Sequence, residues 1–477
     1  MRGFIKIPSS HKSRKSPPTP SPRRLALEIV GTWQRQNLPG SAAGPFLDDL
    51  LAQTLAAYPT LSRPDQALLR ELTTGILRWR GRLDYLIGQA ASKPVRQLHP
   101  LVLDLLRLTA YQLLFLDRIP ARAAVHESVR LAKARRLPPA LTAFVNAVSR
   151  TLAENIHRLP LPDPDSEPQA ALAAAASLPA WLAARWLQDL GRDAAWSRGQ
   201  ASNLQPPLTI RVNTILISRE NLICVLQAEG VAAEPCRYSP LGLTLHGINQ
   251  PPFTLPSYQR GLWLFQDEAA QLVTLLLQPE AGQQLLEIGA GRGGKTTHLA
   301  QILAGHGQIV AMDHSPPRLQ ALRHSLNRMN LTGVDLVLTD ASDSLPFRTY
   351  LRFERILIDA PCSGLGVLRR HPELRWRRQP EDFPRFATLQ QAMLRQAAPH
   401  LALGGMLLYI TCTTASEENE QVIQTFLTRH PEFSLHAPVA ALPPEAQHFI
   451  DPLGYFRTLP ERHGLDGFFA AALMKNG

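Results

Sequence analysis

The stretch "EIGAGRGGKTTH", Glu287 to His298, has the residue types and spacing for two kinds of chemistry. Read as G-x-x-x-x-G-K-T from Gly289, it is the phosphate cradle of a nucleotide hydrolase. Read as E-x-G-x-G-x-G from Glu287, it is the glycine turn of a doubly wound sheet that holds an adenosyl group. The turn alone does not decide, because both use a helix N-terminus that presents free N–H groups. Asp359, closing the apolar run in "RILIDAP", deepens the ambiguity, since a hydrolase keeps a magnesium-binding acid there. Three acids break the tie. Glu287 precedes the first glycine by two residues, where a carboxylate repels triphosphate and suits the sulfonium and amine of S-adenosylmethionine. Asp313 ends the next apolar run, where a ribose-binding acid belongs. Asp340 ends the third, where an adenine amino group can be read. Each acid alone is more often a helix cap or a solvated loop residue; together they favour a neutral nucleoside.

Two cysteines fall at the same edge. Cys362 stands in "DAPCSGLG" after the fourth apolar run and Cys412 in "YITCTT" after the fifth. A lone free cysteine is usually an inert core residue. Two at adjacent strand ends, beside polar and glycine-rich loops, favour catalysis. Beside a methyl donor, a thiolate has a specific use. Adding to C6 of a pyrimidine, it makes C5 nucleophilic enough to attack the sulfonium methyl, and loss of the C5 proton then frees the thiol. A lowered thiol pKa is required, from nearby cations or a helix N-terminus. Asp359 is placed to hydrogen-bond the cytosine edge, and Lys295 to orient the base or Asp359.

These residues need a parallel sheet to hold them. "QLLEIG", "QIVAMD", "VDLVLTD", "RILIDAP" and "GMLLYITC" read as strands separated by helical stretches such as "GKTTHLAQILA", with "GFFAAALM" a late antiparallel strand. Strands alternating with helices predict an α/β, Rossmann-like domain over residues 263–477, with a parallel sheet covered on both faces. Residues 22–157 read as an all-α bundle, with Leu68, Leu69, Leu72, Ile76 and Leu77 at helical spacing. "RLPLPDPDSEPQ" falls in a linker, 158–174, and residues 175–262 read as a small α+β subdomain of ferredoxin-like type.

The chain has 477 residues, 45% of them hydrophobic, so it can bury real cores. Its formal net charge of +11 favours a polyanionic partner, nucleic acid first. The four cysteines, Cys224, Cys236, Cys362 and Cys412, form no C-x-x-C pair, so no metal site is expected and a reducing cytoplasm fits. Residues 1–21 are basic and lack the apolar core of a signal peptide; they read as a disordered tail that loosely resembles an organelle transit peptide. No membrane segment is expected. The most apolar run, "LVLDLLRLTAYQLLFL", carries Asp104 and Arg107 and reads as a buried helix.

The motifs "GRGGKTTH", "DAPCSGLGVLRRHPELRWRR" and "YITCTTASEENEQVI" resemble the RNA 5-methylcytosine methyltransferases, the RsmB (Sun, Fmu) family. "LLRELTTGILRWRGRLDYLI", "LDRIPARAAVHESVRLAK" and "FVNAVSR" resemble the NusB-like domain of that family, so the likeness covers nearly the whole chain after the basic tail. The resemblance implies that Cys412 is the nucleophile and Cys362 the release thiol. It places the cofactor on Gly289, Ala290, Gly291, Arg292, Gly293, Gly294 and Lys295, with Asp313, Asp340 and Asp359. It implies a class I methyltransferase fold for residues 263–477 and a cytosine of 16S rRNA as the target; a monomer is expected. The family usually reads D-x-C-A-A-P-G-G-K; here Gly289 replaces the cysteine and Arg292 the proline, a change that bears on cofactor affinity rather than on the reaction.

After Cys362, Arg369, Arg370, Arg375, Arg377 and Arg378 surround Trp376. Basic side chains with an aromatic suit an RNA strand with an unstacked base; the bland alternative is a solvated loop paired with Glu373 and Glu381. Two rivals stay open at this level: a P-loop hydrolase acting on RNA, and a non-enzymatic RNA-binding assembly or antitermination factor built on the helical domain.

Overall fold

The computed structural model describes residues 20–37, 44–248, 250–343, 345–348 and 350–476. The basic tail lies outside these residues except for its last two. One of them, Ser21, accepts a hydrogen bond from the Arg24 amide and caps the first helix. The chain divides into two compact units, residues 1–76 with 87–158, and residues 77–86 with 159–477.

The first unit is helical. Pro22–Gln36, Leu47–Ala57, the two ends of Arg63–Ala91, Pro100–Phe115, Ala121–Ala134 and Pro139–Asn155 make it up. Proline stands in the first turn of four of these helices, where its missing N–H has no intrahelical partner to lose. Trp33, Leu69, Leu72, Leu105, Leu131, Val145 and Leu152 fill the core. The apolar helix Pro100–Phe115 buries its two charges as a pair, Arg107 to Asp104 at 3.0 Å. No single helix among the described residues is long and apolar enough to cross a membrane.

The second unit opens with helices Pro168–Ala175, Ala180–Leu190 and Arg192–Ala201. The first of these lies largely inside the expected linker, which is therefore shorter than its proline content implies: Pro168 starts a helix instead of preventing one. An antiparallel sheet follows, built from β1 (Leu208–Val212), β2 (Ala232–Pro235), β3 (Gly242–His246) and β4 (Trp263–Phe265) in the order β2-β3-β1-β4. With helices Arg219–Ala228 and Pro256–Gln259 between strands, this is the ferredoxin-like βαββαβ arrangement. The expected boundary at 262/263 falls one strand early, because β4 pairs with β1.

The main sheet contains β5 (Gln284–Ile288), β6 (Gln308–Asp313), β7 (Val334–Leu338), β8 (Phe353–Asp359), β9 (Leu401–Thr411), β10 (Phe433–His436), β11 (Phe456–Arg457) and β12 (Phe469–Lys475). Its order is β10-β12-β9-β8-β5-β6-β7, with β11 paired to β12. Strands β5 to β9 pair in parallel and β12 runs antiparallel to β9. β10 and β11 are additions to the expected set; at four and two residues they carry too little alternation to read. Alternate residues feed two cores. Leu285, Ile309, Leu357 and Leu408 face helices Gly294–Leu303 and Pro316–Met329, while Leu286, Met312, Ile358 and Tyr409 face Asp382–Ala397 and Glu420–Arg429. Strand order reverses between β5 and β8, and the carboxyl ends there form the crevice where open α/β sheets bind ligands.

Candidate active site

The glycine turn is built by close approach. At Gly289, φ is +82° and an added Cβ would lie 2.3 Å from the Asp359 carbonyl oxygen; at Gly293, φ is +89° and a Cβ would meet Leu322 Cδ1 at 2.3 Å. Only glycine satisfies both conditions. The Gly289 and Ala290 amides donate to Met312 O at 2.9 Å each, stitching the turn to the end of β6. Helix Gly294–Leu303 starts immediately afterwards, and Arg292 is exposed on the turn. Asp313 is drawn to this turn: one carboxylate oxygen accepts from the Gly291 amide at 2.9 Å and the other from Ser315 N at 2.8 Å. Asp340 lies two residues past β7 and accepts from the Ser342 hydroxyl and amide, which hold its carboxyl below the usual range.

Glu287 lies beneath the turn, 1% exposed, with the Thr296 hydroxyl beside its carboxyl. Burial pushes its carboxyl up to about 8 despite the Thr296 hydrogen bond and the Lys295 charge. Ionising a buried carboxyl is costly unless a cation lies near it. A cation held on the glycine turn would favour its charged form, so the residues fit S-adenosylmethionine with its ammonium and sulfonium. Arg211, which drew no attention in the sequence, supports this corner from β1. Fully buried, it donates to Gly294 O and Thr297 Oγ1 at 2.8 Å each and to Gln266, tying the small sheet to the helix after the turn. Its signal was an arginine inside the apolar run "LTIRV", a charge that must find buried partners.

The two cysteines meet. β8 and β9 pair Asp359 with Ile410, and the Ala360 amide donates to Ile410 O, so the loops that follow run side by side. Cys362 Sγ lies 3.3 Å from Cys412 Sγ. The hydrogen bond from Cys362 lowers the Cys412 thiol pKa most; burial and Asp359 oppose it, and Lys295 and His371 assist it, leaving the thiol below its ordinary value. Cys362 is held well above its ordinary value by that same hydrogen bond, then by burial and the Cys412 charge. Lys295 donates to Asp359 at 2.7 Å and sits 5.4 Å from the Phe468 ring centre. Burial pulls its ammonium down, but the Asp359 charge and hydrogen bond raise it overall.

The "EEN" segment braces both loops. Glu418 accepts from the Ser363 amide at 2.8 Å and from Gln390 at 3.2 Å, while Asn419 donates to Thr413 O and accepts from Thr411 Oγ1. Arg378 donates to the carbonyls of Ser363 and Cys362. Sequence reading assigned no role to Glu418, Asn419 or Phe468.

The arginine-rich stretch is corrected by its contacts. Arg369 and Arg370 both bind Asp466, and Arg370 also binds Asp267 at 2.6 Å. Arg375 is 0% exposed and donates to the carbonyls of Ala176, Ser177 and Ser202 and to Asn203. The Trp376 indole N–H donates to Leu77 O at 2.6 Å. These side chains, with Arg378, are spent on holding the protein together, not left for RNA and not paired with Glu381. Arg377 is half-buried.

Comparison with known proteins agrees with this geometry. Residues 274–474 match the family described as 16S rRNA methyltransferase RsmB/F, residues 20–154 the NusB family, and residues 178–250 the RsmF/B-like ferredoxin-like domain. The probable ribosomal RNA small subunit methyltransferase B of Bacillus subtilis is 33% identical over 90% of this chain and 95% of its own length. The ribosomal RNA small subunit methyltransferase B of Pseudomonas putida is 36% identical over 86% of this chain and 91% of its own. The solved structure of a methyltransferase homolog protein from Pyrococcus horikoshii, 26% identical, superposes with a TM-score of 0.55 over 66% of this chain and 100% of that one. The P-loop hydrolase and the non-enzymatic assembly factor are both set aside, and the chain belongs to the RsmB/F family of S-adenosylmethionine-dependent methyltransferases.

Proposed function

We propose that this protein methylates C5 of a cytosine in small-subunit 16S rRNA through a covalent bond between Cys412 and C6 of the base. The observation that carries this reading is the 3.3 Å approach of the two sulfurs beside the Lys295–Asp359 pair, at the sheet edge that also holds the glycine turn. The Cys412 thiolate adds to C6, and the C5=C6 electron pair shifts toward the N3 and C4 edge, where Asp359 and Lys295 are placed to hydrogen-bond the ring. S-adenosylmethionine, held by the Gly289–Lys295 turn with Glu287, Asp313 and Asp340, supplies an electrophilic methyl group for C5. Cys362 then takes the C5 proton, and the C5=C6 bond re-forms as the Cys412 sulfur leaves with its electron pair.

Adduct formation itself prepares Cys362. It removes the hydrogen bond to Cys412 and the Cys412 charge, two of the influences that keep the Cys362 thiol protonated, while burial and Glu418 remain. The Cys362 proton must therefore pass to solvent before this sulfur can take the one from C5. The target cytosine must leave any stack to reach this edge.

The test is a pair of variants with 16S rRNA and radiolabelled S-adenosylmethionine. Cys412→Ala is expected to form no 5-methylcytosine. Cys362→Ala is expected to accumulate a protein–RNA adduct that survives a denaturing gel. Full activity of Cys412→Ala would overturn the mechanism.

A further inference from the structure

A cavity of about 440 Å³ opens beyond the two cysteine loops. One wall is Thr414–Glu417, the continuation of the Cys412 loop, with Leu365 from the Cys362 loop; the other is helix Ala180–Leu190. None of these residues takes part in the methyl transfer described above.

Both walls carry charged side chains held in ion pairs, beside the apolar Trp186, Leu190, Leu365 and Ala415. Arg185 donates to both Glu417 oxygens at 2.7 and 2.9 Å, pairs with Asp189 at 3.2 Å and lies 4.2 Å from the Phe383 ring centre. Arg198, from the next helix, is held by Glu461 at 2.7 Å. Both cations are therefore neutralised in place and exert little pull on a phosphate. The same pairs engage Glu417 and Asp189, so what the cavity offers is the remaining lone pairs of those two carboxylates and the Gln188 amide. Such groups read the donors and acceptors on a nucleobase edge. A base next to one that has been flipped out loses a stacking partner, and a preformed polar cavity gives it a new place while sampling its identity.

We infer that this cavity is a subsite for the base of the nucleotide adjoining the target cytosine, read through Gln188, Asp189 and Glu417. The inference rests on the proposed RNA cytosine methylation. It makes the cavity a determinant of which cytosine is chosen, separate from the thiols that do the chemistry.

The test uses the full-length protein, S-adenosylmethionine and 16S rRNA fragments centred on the cytosine located by bisulfite sequencing, intact or with an abasic site at either neighbouring position. With the wild-type protein, one abasic fragment is expected to lose roughly ten-fold in kcat/KM, mainly through KM. Gln188→Ala combined with Asp189→Asn, both at exposed positions, should weaken the intact fragment to a similar degree and make the abasic change nearly silent. Glu417→Gln should act in the same direction. Equal methylation of intact and abasic fragments by the wild-type protein would overturn the subsite alone, as would variants that keep the full discrimination. No 5-methylcytosine from the intact fragment would overturn the underlying reaction, and the subsite with it.

Discussion

Residues 287–295 and 369–378 lie near the same edge of the main sheet, yet they are held in opposite ways. The glycine turn is fixed by its backbone: φ values open to glycine, amides on Met312 O, and an added Cβ meeting Asp359 O or Leu322 within 2.3 Å. The arginine stretch is fixed by side-chain tips whose partners are remote. Arg369 reaches Asp466, 97 positions away, and Arg375 reaches Ala176, 199 positions away. A turn imposes its requirement on the residues that make it. A long cationic side chain takes whatever role its distant neighbours leave it, whether ligand contact or internal strut.

The backbone requirement is strictest at Gly289. Gly289→Ala places a methyl group against a backbone carbonyl that cannot swing aside, at a φ that L residues avoid. A loss of about 3 kcal/mol or more is expected, measured as the shift in the unfolding midpoint, together with loss of S-adenosylmethionine binding. Gly289→Cys, which restores the residue the family usually carries, should fare no better. A stable, cofactor-binding Gly289→Cys would show that the turn is less constrained than its backbone implies.

Arg375→Ala tests the other side. It leaves the carbonyls of Ala176, Ser177 and Ser202 without their donor, and a loss of about 3 kcal/mol is expected. Arg375→Lys should recover little, because one ammonium cannot reproduce the guanidinium fork. Were Arg375 an RNA contact, the same variant would keep its midpoint and lose RNA affinity in a salt-dependent way.

What was legible follows the same division. The order of strands, the glycine turn, the acids at strand ends and the two thiols could be placed because each falls at or just after the end of a short apolar run. The antiparallel nature of β12 was legible too, as a late strand after the last crossover. The arginines were not, since nothing in "LRRHPELRWRR" reveals that Asp466 and Ser202 will face it. Arg211 and Glu418 escaped for that reason as well: their partners come from segments 83 and 55 positions away. The 262/263 boundary failed at β4, whose three residues pair across the antiparallel sheet and only afterwards lead into the crossover helices.

Glu287 sharpens the comparison, because its position is set locally and its charge is not. Its carboxyl rises from an ordinary 4.5 to about 8 in the folded protein. Between these values the native state keeps a proton that the unfolded chain has lost, so stability is full below about 4.5 and drains as pH climbs toward 8. Glu287→Gln should remove that decline and make the cofactor-free protein more stable above neutral pH. It should also weaken S-adenosylmethionine roughly ten-fold or more, the cost of losing a charged partner. In the wild type, calorimetry in buffers of different ionisation enthalpy should show proton release on binding, since a cation favours the carboxylate. Binding without proton release would mean that Glu287 does not meet the cation.

Cys412 belongs to both classes. Its place comes from β9, but its reactivity comes from Cys362, 50 positions away, and from Lys295. The hydrogen bond from Cys362 is the largest influence lowering its pKa, and burial the largest opposing one. Cys362→Ala therefore should move the pH profile of Cys412 alkylation upward, measured by mass spectrometry of iodoacetamide-treated protein. Lys295→Met should move it the same way by a smaller step, because the ammonium ranks below burial and Asp359 among the influences. Neither substitution touches the backbone that positions the sulfur, so both variants should keep their unfolding midpoints far better than Gly289→Ala does. An unchanged profile in Cys362→Ala would mean that the thiol's environment is set by its own loop alone, and the division between locally fixed geometry and remotely fixed charge would not extend to Cys412.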